Sequence, residues 1–250
     1  MTAPIARALG SLVAVALTAA CTSYYEIPIE TPIRPRLDVS AFQRVLVAGF
    51  IAGGIEDVDG NLETTRLLRS QLRSKSDLRV IDADTLPLME VMASNRAKSG
   101  ATEPLPPIKE EKDLDPYQPL FQNVAYWKQI GEEYQQPLIV TGTVLFTTQE
   151  RSTSRLQPTE TRDEFGRRNT DTQRVYVEQK AFILQPRFVF IDGRTGEQLY
   201  QRSFKEEQQY TLNQQTPPLS SYFDLMDRLI PTFLSTLSSQ KVKGTRFLLQ

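Results

Sequence analysis

Histidine is absent from this chain, and cysteine and tryptophan occur once each. Without imidazole there is no side chain whose ordinary pKa suits a general base near neutral pH, and the commonest metal ligand is missing. Ser-His-Asp and Cys-His machinery and zinc sites of the Cys/His kind are thereby excluded. A single cysteine cannot close an internal disulfide. There is no excess of positive charge either, with 29 Lys and Arg against 30 Asp and Glu. Nothing then neutralises a phosphate backbone, which argues against nucleic acid as a partner. What remains is an ordinary globular composition, 40% hydrophobic over 250 residues. That length predicts one core of about 150 residues, with tails or insertions using the rest.

The first twenty residues read as a targeting segment. Arg7 is the only charge of a short leading region, and Ala8 to Ala20 form an apolar run of 13 residues. Such a run is too short for a helix that crosses a bilayer. A buried helix would need polar positions on its outer face, and this run offers only Ser11 and Thr18. The closing "LTAAC" resembles a bacterial lipobox, in which a small residue precedes a cysteine that is acylated before cleavage. Ala19, Ala20 and Cys21 match it, while Leu17 stands one place early, where Thr18 departs from the pattern. The expectation is a signal peptide over 1–20 and a covalent lipid on Cys21, with no other cofactor. The mature chain would continue with Thr22 and Ser23. With no Asp there, sorting in a diderm bacterium favours the outer membrane, with the protein facing the periplasm.

Residues 21–42 carry Pro28, Pro32 and Pro35 and no helical period. They read as a semi-rigid tether of about 3 Å per residue. A second stretch, 94–119, is rich in proline and charge and reads as an irregular insertion too polar for the core. The last ten residues, 241–250, read as a tail. Between these lie compact elements. "RVLVAGF" (Arg44–Phe50) is a buried strand by its continuous apolar run. A Leu-rich helix follows, with Asp59 or Asn61 as its cap. "LRVIDA" predicts a strand, and a helix should start near Asp84. "NVAYWKQIGEEY" predicts a helix with Val124, Trp127 and Ile130 on one face. Two long strand segments come next, then "DGRTG", whose Gly193 and Gly196 suit a tight turn, and "EQLYQRSF". The final helix carries an apolar stripe from Leu219 to Leu237, and Pro231 should kink it. The order β-α-β-α, insertion, α-β-β-β-α predicts an α/β sandwich with a mixed sheet over 43–240.

Taken in order, "RVLVAGF", "SDLRVIDADTL", "IGEEYQQPLIVTGTV" and "FVFIDGRTGEQLY" resemble the CsgG-like family of bacterial lipoproteins, named for the curli secretion protein. Val80–Leu86, Ile139–Val144 and Asp192–Glu197 carry the match, which covers 43–237 apart from the insertion. The resemblance implies a periplasmic α/β domain held at the outer membrane by an N-terminal lipid. The family includes an oligomeric secretion pore. Lipoproteins of similar fold bind and activate penicillin-binding proteins. A shared fold leaves the task open.

Three functions are therefore carried forward. The first is a non-enzymatic binding or assembly factor in envelope biogenesis or secretion, with an envelope protein as partner. The second is a subunit of a homo-oligomeric outer-membrane pore. The third is an envelope enzyme using carboxylates alone. For the pore, Val175, Val177, Ala181 and Ile183 alternate with Arg174, Tyr176, Glu178 and Lys180, as a spanning strand would. No aromatic girdle accompanies them, and Gln179 interrupts the outward face. The expectation is instead a long soluble hairpin whose polar loop, 151–174, is the partner-binding element through Arg162, Arg167, Arg168 and Arg174. "EDVDGNLE" lacks the Gly and Glu spacing of a calcium loop and reads as helix-cap chemistry. "VAGFIAGG" lacks a phosphate loop's lysine and reads as a turn. Glu132 and Glu133 are adjacent on a helix and cannot face one substrate. Tyr24, Tyr25, Tyr117, Tyr126 and Trp127 are aromatics able to serve an interface, with core packing the favoured role for Trp127.

Overall fold

A computed structural model describes residues 24–98, 105–162, 165–166, 168–211, 216–238 and 240–249. The expected signal peptide and Cys21 lie outside them. The chain forms two compact units, one of 35–238 and one of 1–34 with 239–250.

The larger unit is a mixed α/β sandwich. Its strands are β2 (Arg44–Gly54), β3 (Arg79–Val80), β4 (Leu138–Arg162), β5 (Arg168–Asp192), β6 (Gln198–Ser203) and β7 (Glu206–Thr211). They run in the order β3-β2-β4-β5-β6, with β7 also on β5. β2 pairs in parallel with β3 and β4, and every later pair is antiparallel. Apolar residues on both faces of β2 and the lower parts of β4 and β5 explain why helices cover the sheet on both sides. On one face α1 (Gly60–Lys75) and α5 (Pro218–Leu237) pack on Val45, Val47, Val140 and Phe188. On the other, α2 (Leu88–Lys98), α3 (Gln118–Phe121) and α4 (Val124–Glu133) pack on Leu46, Ile139 and Val189.

Local chemistry sets the ends of these elements. Asp59 caps α1 by accepting the Leu62 N–H at 2.9 Å, and Asn123 caps α4 through the Tyr126 N–H at 3.1 Å. The "VAGFIAGG" segment is strand rather than turn, because β2 continues to Gly54. It is bulged between Val47 and Gly49, and Gly49 has φ +123°, which lets Asn61 accept the Phe50 N–H at 2.8 Å. At the "DGRTG" turn only Gly196 has positive φ, while Gly193 lets Pro137 approach: a Cβ there would lie 2.4 Å from the Pro137 oxygen. Pro186 sits where the ladder on β5 steps from β6 to β7. Its carbonyl accepts the Phe204 N–H at 2.9 Å, so its nitrogen faces the same break and its missing N–H leaves no partner stranded.

Four expectations are corrected. The insertion 94–119 is not too polar for the core: α2 runs to Lys98, a 3-10 helix spans Glu111–Tyr117, and Ile108, Leu114 and Tyr117 are buried beside Leu120 and Phe121. Tyr117 is accordingly a core residue and not an interface one, while Trp127 is in the core as expected, donating its indole N–H to the Leu120 carbonyl at 2.8 Å. Val124, placed on the buried face by spacing, is 45% exposed. In the smaller unit, tether and tail are strands: β1 (Tyr24–Ile33) pairs with β8 (Gln240–Leu249) as a two-stranded antiparallel ribbon.

Candidate functional site

The expected polar loop 151–174 is strand on both sides. β4 and β5 each run 25 residues and stay in register to Arg162 opposite Arg168. The reason is compositional: Thr153, Thr159, Thr161, Val175, Tyr176 and Val177 favour extended backbone, although so few apolar residues hide the strand pattern. β2 leaves β4 after Phe146, and β7 leaves β5 at Gln179. From Ser152 opposite Glu178 to the tip, the two strands pair, among the described residues, only with each other over eleven positions. At about 3.4 Å per residue this arm extends roughly 37 Å.

Its base is firmly held. Phe146 and Phe182 stack at 5.7 Å, and Tyr210 of β7 meets Phe182 edge-on at 5.9 Å. Arg151 reaches across to Glu207 at 2.8 Å and to the Gln149 side chain at 2.8 Å. Above this level the described side chains are almost all exposed. Leu156, Val175 and Tyr176 are 62%, 38% and 70% exposed on the shaft, and Phe165 is 83% exposed in the tip turn. Leu156 faces Arg174 and Ser154 faces Tyr176, so Leu156 and Tyr176 are diagonal neighbours on one face. The other face sets Val175 opposite Arg155 and Val177 opposite Thr153.

Of the four arginines expected to recognise a partner, Arg168 and Arg174 are exposed on the arm. Arg162 ends β4 opposite Arg168 in the strand register. Arg167 lies outside the described residues. The alternation proposed for a spanning strand divides in two. Ala181 and Ile183 are buried at the base, 1% and 8% exposed, and only Val175 and Val177 belong to the arm. Among the described residues, neither arm face carries the continuous apolar band, about 25 Å tall, that a barrel wall needs. The apolar pair Leu156 and Tyr176 escaped sequence reasoning because they come from opposite strands.

Elsewhere the unit offers little for chemistry. A cavity of about 250 Å³ is lined by Glu111, Thr143, Gln185, Arg187 and Lys205. Its Glu111 carboxylate is engaged by Arg187 at 3.5 Å and Gln185 at 3.3 Å. The carboxylates with a displaced titration, Asp38, Asp113 and Asp192, are all held below the ordinary range. The causes are hydrogen bonds from Ser40, from the Lys109 and Glu110 N–H groups, and from Arg194 respectively. Such groups are stabilised as anions and do not serve as acids near neutral pH. Among the described residues no cluster of three potential metal-ligating side chains occurs, and no helix is long and apolar enough to cross a membrane.

No protein-family model matches the chain, and no curated protein does. The resemblance to the CsgG-like family therefore rests on its motifs alone. Among solved structures, lipoprotein GNA1162 from Neisseria meningitidis aligns with 76% of this chain and 97% of its own, at 10% identity and a TM-score of 0.32. The LpoB C-terminal domain from Salmonella enterica aligns with 79% of this chain and 94% of its own, at 11% identity and a TM-score of 0.30. Likenesses at this level carry no argument about function, and the weight falls on the arm.

Proposed function

We propose that the protein is a lipid-anchored, periplasm-facing envelope protein acting as a non-enzymatic binding or assembly factor, with the β4–β5 arm as its partner-binding element. One observation carries the reading: among the described residues, a ribbon of eleven strand pairs leaves the sheet with both edges unpaired and apolar side chains exposed. Edges of this kind are usually blunted, because their free N–H and C=O groups accept another strand. Here they are combined with Leu156 and Tyr176, whose exposure costs solubility. A partner's extended segment would pair along an edge, with Arg168 and Arg174 selecting acidic side chains.

The test is site-specific photocrosslinking in the native membrane. A photoreactive residue in place of Tyr176 should yield a discrete heterologous adduct, and one in place of surface Arg66 on α1 should not. Adducts only between copies of this chain would replace the reading with the oligomeric one. Equal adducts at both sites would remove the arm's special role.

A further inference from the structure

The step in the ladder at Pro186 adjoins a cavity in the larger unit. β6 stays with β5 as far as Ser203 opposite Arg187, β7 takes over from Glu206 opposite Leu184, and Phe204 and Lys205 cross between them. Ladder irregularities of this kind re-aim side chains out of the regular pattern. The space, about 250 Å³, is bounded on the sheet by Thr143 and Arg187, which stand opposite each other in the β4–β5 register, and by Glu111 and Leu114 of the 3-10 helix. It is just under the roughly 300–1,000 Å³ of ordinary ligand pockets, which suits a small molecule.

The polar groups around this space are under-used. The Arg187 side chain is only 19% exposed, yet among the described residues it makes no hydrogen bond, and its one ion pair, with Glu111, is 3.5 Å long. Charge-assisted hydrogen bonds close to about 2.7–2.9 Å. The Glu111 side chain is 61% exposed and screened by water, so this pair leaves the guanidinium donors largely unanswered. Lys205, also on the cavity, has no ion pair among the described residues. Thr143 keeps a buried hydroxyl with no hydrogen-bond partner, a costly state that calls for an explanation. Apolar surface lies beside these groups, from the buried Leu114 and Leu145 and the half-buried Phe204.

Two cations and one carboxylate give the lining a net positive charge. We propose that this cavity binds a small organic monocarboxylate. The ligand's carboxylate takes the Arg187 fork, with Lys205 as a second cation and the Thr143 hydroxyl as a further donor, and its short aliphatic body rests on Leu114, Leu145 and Phe204. A planar guanidinium matches two carboxylate oxygens at once, which a lone ammonium cannot do. A bare inorganic anion would leave the apolar walls unused, and an amine would be repelled by Arg187 and Lys205. Glu111, held loosely at 3.5 Å, is the group that the ligand displaces from Arg187. The site lies in the sheet below the arm and does not depend on the arm's role in partner binding.

The test is fluorine NMR of trifluorobutyrate, fluorinated on its terminal carbon, with the full chain in detergent micelles. The line should broaden saturably on the wild-type protein. Isocaproate should restore the sharp line, and inorganic phosphate at the same concentration should not. Arg187→Gln should weaken binding about tenfold or more, the worth of one lost hydrogen bond to a charged group. Because that side chain is largely buried, two exposed positions test the site without endangering the fold. Lys205→Gln should weaken binding about threefold, and Glu111→Gln, by removing the competing carboxylate, should strengthen it by a similar factor. Broadening that never saturates, or that is equal in Arg187→Gln and wild type, would overturn the site. Displacement by phosphate as effective as by isocaproate would make it a bare anion site and overturn the assigned class. Weaker binding in Glu111→Gln would also overturn it, because Glu111 would then be the partner of a cationic ligand group.

Discussion

The lower and upper halves of β4 and β5 belong to one continuous hydrogen-bonding ladder, yet different forces hold them. Below Gln149 and Ala181 the ladder is flanked by β2, β6 and β7 and covered on both faces, so Val140, Val144, Phe188 and Phe190 are at most 1% exposed. Beyond Arg151 and Gln179 the same strands, among the described residues, have no flanking strand, and their described side chains are almost all exposed. Backbone pairing alone makes a ribbon only marginally stable, since it trades water hydrogen bonds for protein ones at little net gain. The lower half is thus fixed by burial, and the upper half is free to be specified by what it meets.

The sharpest way to break the comparison is to remove a large side chain from each half. Phe188 lies edge-on to Phe50 at 5.8 Å, to Phe204 at 5.5 Å and to Phe233 at 4.8 Å, in the layer between the sheet and α5. Phe188→Ala removes these contacts and leaves a cavity lined by side chains too constrained to fill it. We expect a loss of about 3–5 kcal/mol, read from urea denaturation. A loss under about 1 kcal/mol would mean that the lower ladder is held mainly by its hydrogen bonds.

A smaller and pH-dependent effect is expected at Asp192, where β5 ends in the Gly196 turn. Its carboxylate is 7% exposed and accepts two guanidinium hydrogen bonds from Arg194, at 2.7 and 2.9 Å, and the Arg194 backbone N–H at 2.8 Å. These bonds hold its pKa below the ordinary carboxylate value, Arg194 being the largest cause and burial opposing it. The folded state therefore binds this proton more weakly than the unfolded state. The stabilisation is fully present above the unfolded value, about pH 4, and is lost as pH falls through the folded one. Asp192→Asn should cost about 1–2 kcal/mol at pH 7 and progressively less below pH 4, measured by denaturation midpoints across that range. A difference from wild type that is independent of pH would assign the cost to packing.

The same contrast explains what could be read in advance. Where burial decides, residue type and spacing announce it: the run Arg44–Phe50, the cap Asp59, the Asp192–Glu197 turn and the Leu219–Leu237 stripe fold as expected, except that Leu219 itself is 42% exposed. Pro28 and Pro32 hid β1, because proline is tolerated in a ribbon whose outer N–H groups need no partner. Its mate, β8, lies more than 200 residues away, beyond any local pattern. Leu114, Tyr117, Leu120 and Phe121 were masked by the surrounding acids and prolines, since the short helices there are held by contact with the sheet and have little periodicity. The arm was legible only as a polar projection. Its strands lack the alternation that a buried face imposes, because neither face is buried.

The smallest effect on stability is the most informative about the arm. Leu156→Ser with Tyr176→Ser removes two exposed side chains that are diagonal neighbours on one face and cover no core. Surface substitutions of this kind change folding free energy by within about 0.5 kcal/mol. The double variant should therefore denature with the wild-type midpoint while losing the adduct formed from the arm, which a label at Phe165 would still report if the tip alone made contact. Exposed apolar residues in a partner's interface each contribute on the order of 1–2 kcal/mol when they become buried, so their joint loss should weaken capture about a hundredfold. Retained capture would move recognition from the shaft to the Arg162–Arg168 tip. A folding free energy lowered by several kcal/mol would mean that the upper ladder is packed like the lower, and the division between the two halves would fall.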